Sequence, residues 1–183
     1  LSAMEAREGF STITMQVVRN AFIPEMAAHR SLGRKLIEIH LAHRLERTLT
    51  KQQILALYLN VIYFGNGTFG VEAASRDLFG KSVNRLTLAE AATLAGLPKA
   101  PSAYAPRRHP DRAVERRNIV LGLMAEQHYI TADAAAEAEE ESLDLSDDEW
   151  RPAEDTSTAL DPVRAFVDSV IGDRAHGQDL VVR

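Results

Sequence analysis

The chain is predicted to fold as a mainly α-helical domain, and three observations carry that expectation. Two capping boxes, Thr50-Lys-Gln-Gln53 and Thr87-Leu-Ala-Glu90, each set a hydroxyl three residues ahead of a side chain that can return a bond to the helix start. Behind the first box, Ile54, Leu55, Tyr58, Val61 and Ile62 recur at helical spacing. Glycine- and proline-rich stretches, FGNGTFG (64–70) and PKAPSAYAP (98–106), separate the periodic runs.

Taken in order, GFSTITMQVVRN (9–20) supports two readings. Alternation puts Ile13, Met15 and Val17 on one side of a strand, whereas helical spacing makes a stripe of Ile13, Val17, Val18, Ala21 and Phe22 capped by Ser11 or Thr12. In RKLIEIHLAHRLE (34–46), Ile37, Leu41 and Leu45 recur at i,i+4, the core stripe of a helix. Residues 64–70 read as a turn too irregular for helix or strand. The second box opens an Ala-rich helix that Gly96 is placed to close. Pro110 and Asp111 start a helix through Met124, and Thr131 starts another. From Ser142 to about Pro162 the chain is polar, acidic and unpatterned, which reads as a linker; a short amphipathic helix (163–171) follows, and DLVVR (179–183) reads as the start of a strand.

Bulk properties bound the function. The 183 residues suffice for one domain with a substantial core. No cysteine is present, which excludes disulfides and thiolate metal sites, and no apolar run is long enough to cross a bilayer. The sequence opens on Leu and ends on VVR, so it is expected to be part of something longer. Charge is uneven: residues 1–85 hold eleven Lys/Arg and seven Asp/Glu, and the remainder holds ten and nineteen. A basic first half suits an anionic ligand. Nucleic acid is disfavoured, because aromatic residues make up only 6% of the chain and the cations form no continuous stripe.

Two clusters could carry chemistry. Glu38 lies about 100° round its helix from Ile37, at the edge of the apolar stripe and flanked by Arg34 and Lys35. Partial burial and cationic neighbours push its pKa in opposite directions. The commoner reading of this segment alone is an i,i+4 surface pair between Arg34 and Glu38. Arg19, Arg30, Arg34 and Lys35, with the hydroxyls of Ser11, Thr12 and Thr14 ahead of them, could converge on a phosphate; ordinary capping and surface charge is the bland alternative. His40 and His43 are three apart, but no third ligand stands near them at motif spacing, so no metal site is expected.

In sequence order, GFSTITMQVVRN, RSLGRKLIEIHLAHRLE, KQQILALYLNVIYFGNGTFGVEAASRDLFGK and LTLAEAATLAGLPKAPSAYAP closely resemble motifs two to five of the peptidoglycan glycosyltransferases. This is the polymerase domain of class A penicillin-binding proteins and of monofunctional transglycosylases. The resemblance implies a lysozyme-like, mainly α head over residues 1–141, with 142–183 joining it to a transpeptidase domain. It settles the first segment as a loop running into a helix. It also implies polymerisation of lipid II: the 4-hydroxyl of an acceptor sugar attacks C1 of a chain held on polyprenyl pyrophosphate, with inversion. The substrates implied are lipid II and the nascent glycan strand. The place implied is the outer face of the cytoplasmic membrane, with an anchoring helix upstream and cell-wall elongation or division proteins as partners.

Carried over by position, the substrate contacts are Ser11, Thr12, Gln16 and Arg19, the basic Arg30, and Arg34 and Lys35, with Tyr63 as a cleft residue. Glu38 is the second family carboxylate, placed to hold the lysine, assist the leaving pyrophosphate or help seat a divalent cation (Mg or Mn) that no residue here specifies. Asn60 and Gly65 match motif four as structural positions, and Asn60 reads equally well as a helix C-cap. Phe10, Met15 and Leu78 depart from the pattern, which usually has Gly, Gln and Tyr there. The alternatives are a non-catalytic scaffold of the same fold and a glycan-cleaving lytic enzyme.

The family's base is the glutamate of a first motif, Glu-Asp-x-x-Phe, and the 183 residues contain no such motif. The polypeptide of these residues alone is therefore expected not to polymerise lipid II. Glycan chains formed by it in a gel assay with labelled lipid II would contradict this.

Overall fold

The computed structural model describes residues 11–22 and 32–147, together with Ala165 and Ser169. The elements are α1 (Ile13–Phe22), α2 (Leu32–Thr48), α3 (Lys51–Val61), β1 (Tyr63–Gly65), β2 (Thr68–Phe69), α4 (Val71–Phe79), α5 (Leu88–Gly96), α6 (Pro110–Glu126) and α7 (Ala132–Glu140), with short 3-10 turns at Val83–Arg85 and Leu97–Lys99. The mainly α class read from the sequence is the one observed. Among the described residues, no helix is long and apolar enough to cross a membrane. The described residues fall into two compact units, one through Val61 together with Ala165 and Ser169, and one from Ile62 to residue 147.

In the first unit the apolar stripes of α1, α2 and α3 meet. Val17, Val18, Leu41, Ala42, Leu45, Leu49 and Ile54 are buried together, with Ile37, Leu57 and Tyr58 half-covered around them. Each fully buried Val or Leu contributes about 1.5–3 kcal/mol relative to exposure, so this cluster determines which helix faces point inward. The Thr50 box forms as read: Thr50 N–H donates to Gln53 Oε1 at 2.9 Å, and Gln53 N–H donates to Thr50 Oγ1 at 3.3 Å. Leu55, expected in the α3 stripe, faces solvent instead, and Ile62 lies one residue past the helix end.

In the second unit the stretch 64–70, expected to be neither helix nor strand, is a tight hairpin. Tyr63 pairs with Phe69 and Gly65 with Thr68. Asn66 and Gly67 at its tip both have positive φ, 52° and 74°, as a two-residue type I′ turn requires. The strands are only three and two residues long, below the length at which alternation becomes readable. The tilted Tyr63 and Phe69 rings, 5.0 Å apart, hold the pair across the strands. Helix α4 ends on Gly80 in the left-handed conformation.

Helices α5, α6 and α7 form the second core around Ala89, Ala92, Leu121, Ala135 and Ala138. The Thr87–Glu90 box is present in both directions, and Thr131 caps α7. Gly96 does not close α5 with a left-handed turn: its φ is −74°, and the chain runs on into the 3-10 turn. A Cβ there would stand 2.8 Å from Arg116 Cγ, so the glycine leaves room for that side chain. Helix α6 runs two residues past Met124, to Glu126. Residues 142–147, read as the start of a linker, are tied down: Ser146 N–H donates to Leu78 O at 2.8 Å, and Arg107 Nη1 donates to Ser146 O at 2.8 Å. Ala165 and Ser169 are helical, and the remainder of 148–183, with the strand expected at 179–183, lies outside the described residues.

Arg117, on α6, is 1% exposed. Its Nη1 and Nη2 donate to Glu141 O at 2.7 Å and Glu139 O at 2.6 Å, and its Nε donates to Asn118 Oδ1 at 2.9 Å. A cation thus occupies the C-terminal end of α7, where the helix dipole and orphan carbonyls favour it. Arg117→Ala would strip those carbonyls of their buried donor and is expected to cost about 3 kcal/mol, read by chemical denaturation. A loss under about 1 kcal/mol would show that water replaces the guanidinium.

Candidate anion-binding site

The chemistry-bearing residues of the first unit gather where the start and last turn of α1 face the first turns of α2. Thr12 begins α1 as its N-cap: its Oγ1 accepts from Met15 N–H at 3.2 Å. Ser11 is thereby left just ahead of the helix. Two turns on, Arg19 reaches back along α1, while Arg34, Lys35 and Glu38 share one face of α2 through their i,i+3 and i,i+4 spacings.

Glu38 is the centre of the cluster and is 0% exposed. Arg19 grips it as a fork, with Nε at 2.9 Å from Oε1 and Nη2 at 3.1 Å from Oε2. Arg34 Nε lies 3.4 Å from Oε1, and Lys35 Nζ lies 3.7 Å from Oε2. Ser11 Oγ joins the two helices by accepting from Arg19 Nη2 at 2.8 Å and from Lys35 Nζ at 2.9 Å. With Ser11 Oγ accepting from two cations, its hydroxyl proton is left to serve as a donor.

Burial pushes the Glu38 carboxyl up, but the Arg19 hydrogen bonds and the charges of Arg19, Arg34 and Lys35 outweigh it, and the net direction is down from the ordinary 4.5. Glu38 is therefore ionised at neutral pH and is a weak proton acceptor. Against its one negative charge stand three cations whose side chains are 28%, 12% and 33% exposed. The excess positive charge, partly open to solvent, suits an anion with several oxygens, such as a phosphate ester.

The surface pair read between Arg34 and Glu38 is thus a small part of a buried network, and the bland reading of this segment is not what the fold builds. Of the residues expected at the site, Ser11, Arg19, Arg34, Lys35 and Glu38 come together, and Thr12 stands beside them as the helix cap. Gln16 is half-exposed on α1, and its side chain makes no hydrogen bond among the described residues. Arg30 lies outside the described residues. Thr14, third of the opening hydroxyls, is buried and donates to Glu46 Oε1 at 2.7 Å, a structural bond. Asn60 Nδ2 donates to Ala56 O at 2.8 Å within α3, which gives it a place in the last turn of that helix. Tyr63 and Gly65 belong to the hairpin of the second unit, where Gly67 N–H donates to Tyr63 Oη at 3.4 Å and Gly65 has a φ of 103° against Pro101. A cavity of about 350 Å³ in that unit is lined by Tyr63, Asn66, Asp77, Ser102 and Arg107 among others.

From the sequence, Met15 stands out only as a departure from the usual Gln of the second motif. Its Sδ accepts from Thr12 N–H at 3.4 Å and lies 3.8 Å from Lys35 Nζ. The Thr-x-x-Met spacing was the available signal, but a capping box is sought with Glu or Gln in that place. As for metal, no group of three or more His, Cys, Asp or Glu placed to hold an ion occurs among the described residues. One carboxylate ringed by three cations is the wrong donor set for a divalent cation held by the protein.

A family model described as Transglycosylase matches residues 1–125. Penicillin-binding protein 1A of Aquifex aeolicus is 44% identical over 169 residues, covering 92% of this chain and 23% of that protein. Penicillin-binding protein 1A of Escherichia coli is 52% identical over 126 residues, covering 69% of this chain and 14% of that protein. The crystal structure of penicillin-binding protein 1A from Haemophilus influenzae matches 95% of this chain and 21% of its own with a TM-score of 0.51 and 30% identity. The chain thus spans between 14% and 23% of the length of these relatives.

Since the folded pKa of Glu38 is depressed, its ionisation stabilises the fold above the ordinary carboxyl value of 4.5, and that stabilisation fades as pH falls through the lower folded value. Glu38→Gln is expected to cost about 2 kcal/mol at neutral pH, with the gap to the native chain narrowing in acid. Urea unfolding of both chains at neutral pH and below 4.5 tests this; a gap independent of pH would remove Glu38 as the counter-ion.

Proposed function

Because the chain belongs to the transglycosylase family, we propose that it carries the polymerising chemistry of peptidoglycan synthesis, with the cations around Glu38 as the cradle for a lipid-linked pyrophosphate. The observation that carries this reading is the convergence of Arg19, Arg34 and Lys35 on one fully buried carboxylate, with the hydroxyl of Ser11 between two of them.

In the reaction the acceptor 4-hydroxyl forms a new bond to C1 of the donor as the bond from C1 to the pyrophosphate oxygen breaks. The hydroxyl proton passes to a base, and the lipid pyrophosphate departs with its electron pair. Negative charge grows on the leaving oxygen, where preorganised cations lower the barrier most. Arg19 contributes part of a fork already fixed by Glu38, Lys35 contributes a compact ammonium, and Ser11 contributes a hydroxyl donor. In this reading Gln16, half-exposed one turn into α1, is the residue that meets the sugar.

Glu38 is a positioning residue in this scheme. Both its oxygens are engaged and its pKa is lowered, so the acceptor proton goes to a base outside the cluster, the part filled by the first-motif glutamate in the resembled family. No step is routed through a divalent cation, because the cluster's donors do not suit one. The parent protein is read as a class A penicillin-binding protein acting on lipid II and the growing strand at the outer face of the cytoplasmic membrane. Elongation or division proteins are its partners in this reading, and no described residue selects between them. A lytic enzyme acting on finished glycan has no use for a pyrophosphate cradle, which separates that reading from this one.

Moenomycin, a mimic of the lipid-linked donor in the resembled family, is the test ligand. The native chain is expected to bind it, and Lys35→Ala and Glu38→Gln are each expected to weaken binding at least ~10-fold, the loss of one charge-assisted contact. Unchanged affinity in both variants, measured by fluorescence anisotropy, would refute the site.

A further inference from the structure

We propose that Met15 is a positioning residue of the anion site, its thioether setting the Thr12 end of α1 and the Lys35 ammonium in one arrangement. The inference rests on the pyrophosphate reading for its consequence, but not for the contact itself.

Met15 occupies the third helical position after the Thr12 cap. Thr12 Oγ1 accepts from Met15 N–H at 3.2 Å, and Thr12 N–H donates to Met15 Sδ at 3.4 Å. Both directions of a capping box are therefore present, with sulfur standing where a carboxylate or amide oxygen usually serves. The same sulfur lies 3.8 Å from Lys35 Nζ on α2. The side chain packs against the core of Val17, Val18 and Leu41. That packing limits its freedom, so an otherwise adaptable methionine holds its sulfur in place.

A thioether is a weak, polarisable acceptor. It can steer the Thr12 amide and the Lys35 ammonium without binding either as firmly as a carboxylate would. An acid at this position would neutralise part of the excess positive charge; a hydrocarbon would take this acceptor from the Thr12 amide and from the Lys35 ammonium, which would keep its contacts with Ser11 and Glu38. Ser11, adjacent to Thr12, depends on the same geometry, since its Oγ accepts from both Arg19 and Lys35. Met15 thus ties the serine that bridges the cations to one of the cations it bridges.

The test uses the full chain with Met15→Leu, which keeps the packing and removes the acceptor, and Met15→Gln, which restores an acceptor in the capping box. Acylation of Lys35 by an amine-reactive reagent, quantified by peptide mass spectrometry, reads the contact without any ligand. Inorganic pyrophosphate binding by calorimetry reads the site. In Met15→Leu, Lys35 labelling is expected to rise about threefold and pyrophosphate affinity to fall about fivefold, as loss of a contact worth a weak hydrogen bond requires. Met15→Gln is expected to return both to within about twofold of native. Lys35 labelling unchanged in Met15→Leu overturns the proposal, as does a Gln variant that behaves like Leu. Should the native chain bind no pyrophosphate while labelling still follows residue 15, the contact is supported and the pyrophosphate reading fails.

Discussion

A carboxylate with no exposure to water is stable only if its charge is answered at close range, and Glu38 is answered three times. Removing such a group from water costs several kcal/mol, so the first turns of α2 are held to the one arrangement in which Arg19 reaches across as a fork. That requirement fixes where α1 ends relative to α2, and with it the place of Ser11. Packing of Val17, Val18, Leu41 and Leu45 supplies the apolar adhesion between the same helices. The apolar contacts are non-directional, whereas the fork is not, so the ion network selects among the ways two greasy stripes could meet.

The same network explains how a protein can keep an excess of positive charge poised for a ligand. Three cations side by side would repel one another and drift apart in water. Anchored on a single buried carboxylate, they are held together at the cost of one of their charges. Ser11 and Met15 refine the arrangement at the solvent side, one as a shared acceptor and one as a soft acceptor. The second unit uses a comparable device for a structural end, with Arg117 sealing the carbonyl end of α7 from within α6.

Much of the fold was legible because its signals are local. Capping boxes at Thr50 and Thr87, the Thr131 cap and the Pro110 start are dictated by residues three or four apart, and each appears where read. The hairpin was missed although Asn66-Gly67 carries its turn signature, because two- and three-residue strands show no alternation to read. Helix α5 does end at Gly96, but the reason for a glycine there was not legible, because it is Arg116, twenty positions away, that needs the space. Tying of Ser146 to Leu78 and Arg107 was invisible for the same reason.

For the site, residue chemistry and order determined that Glu38 would sit at a stripe edge among cations and that Ser11, Arg19, Arg34 and Lys35 were the groups able to meet an anion. Spacing on one helix was enough for the neighbours of Glu38, since i,i+3 and i,i+4 partners must share a face. Only the tertiary structure decided that the carboxylate is wholly buried, that its main partner is Arg19 rather than Arg34, and that Met15 serves as both cap and contact. The reason is physical: those outcomes depend on how α1 lies against α2, which is set by the packing of two surfaces nineteen residues apart in sequence. No periodicity within either helix records that relation.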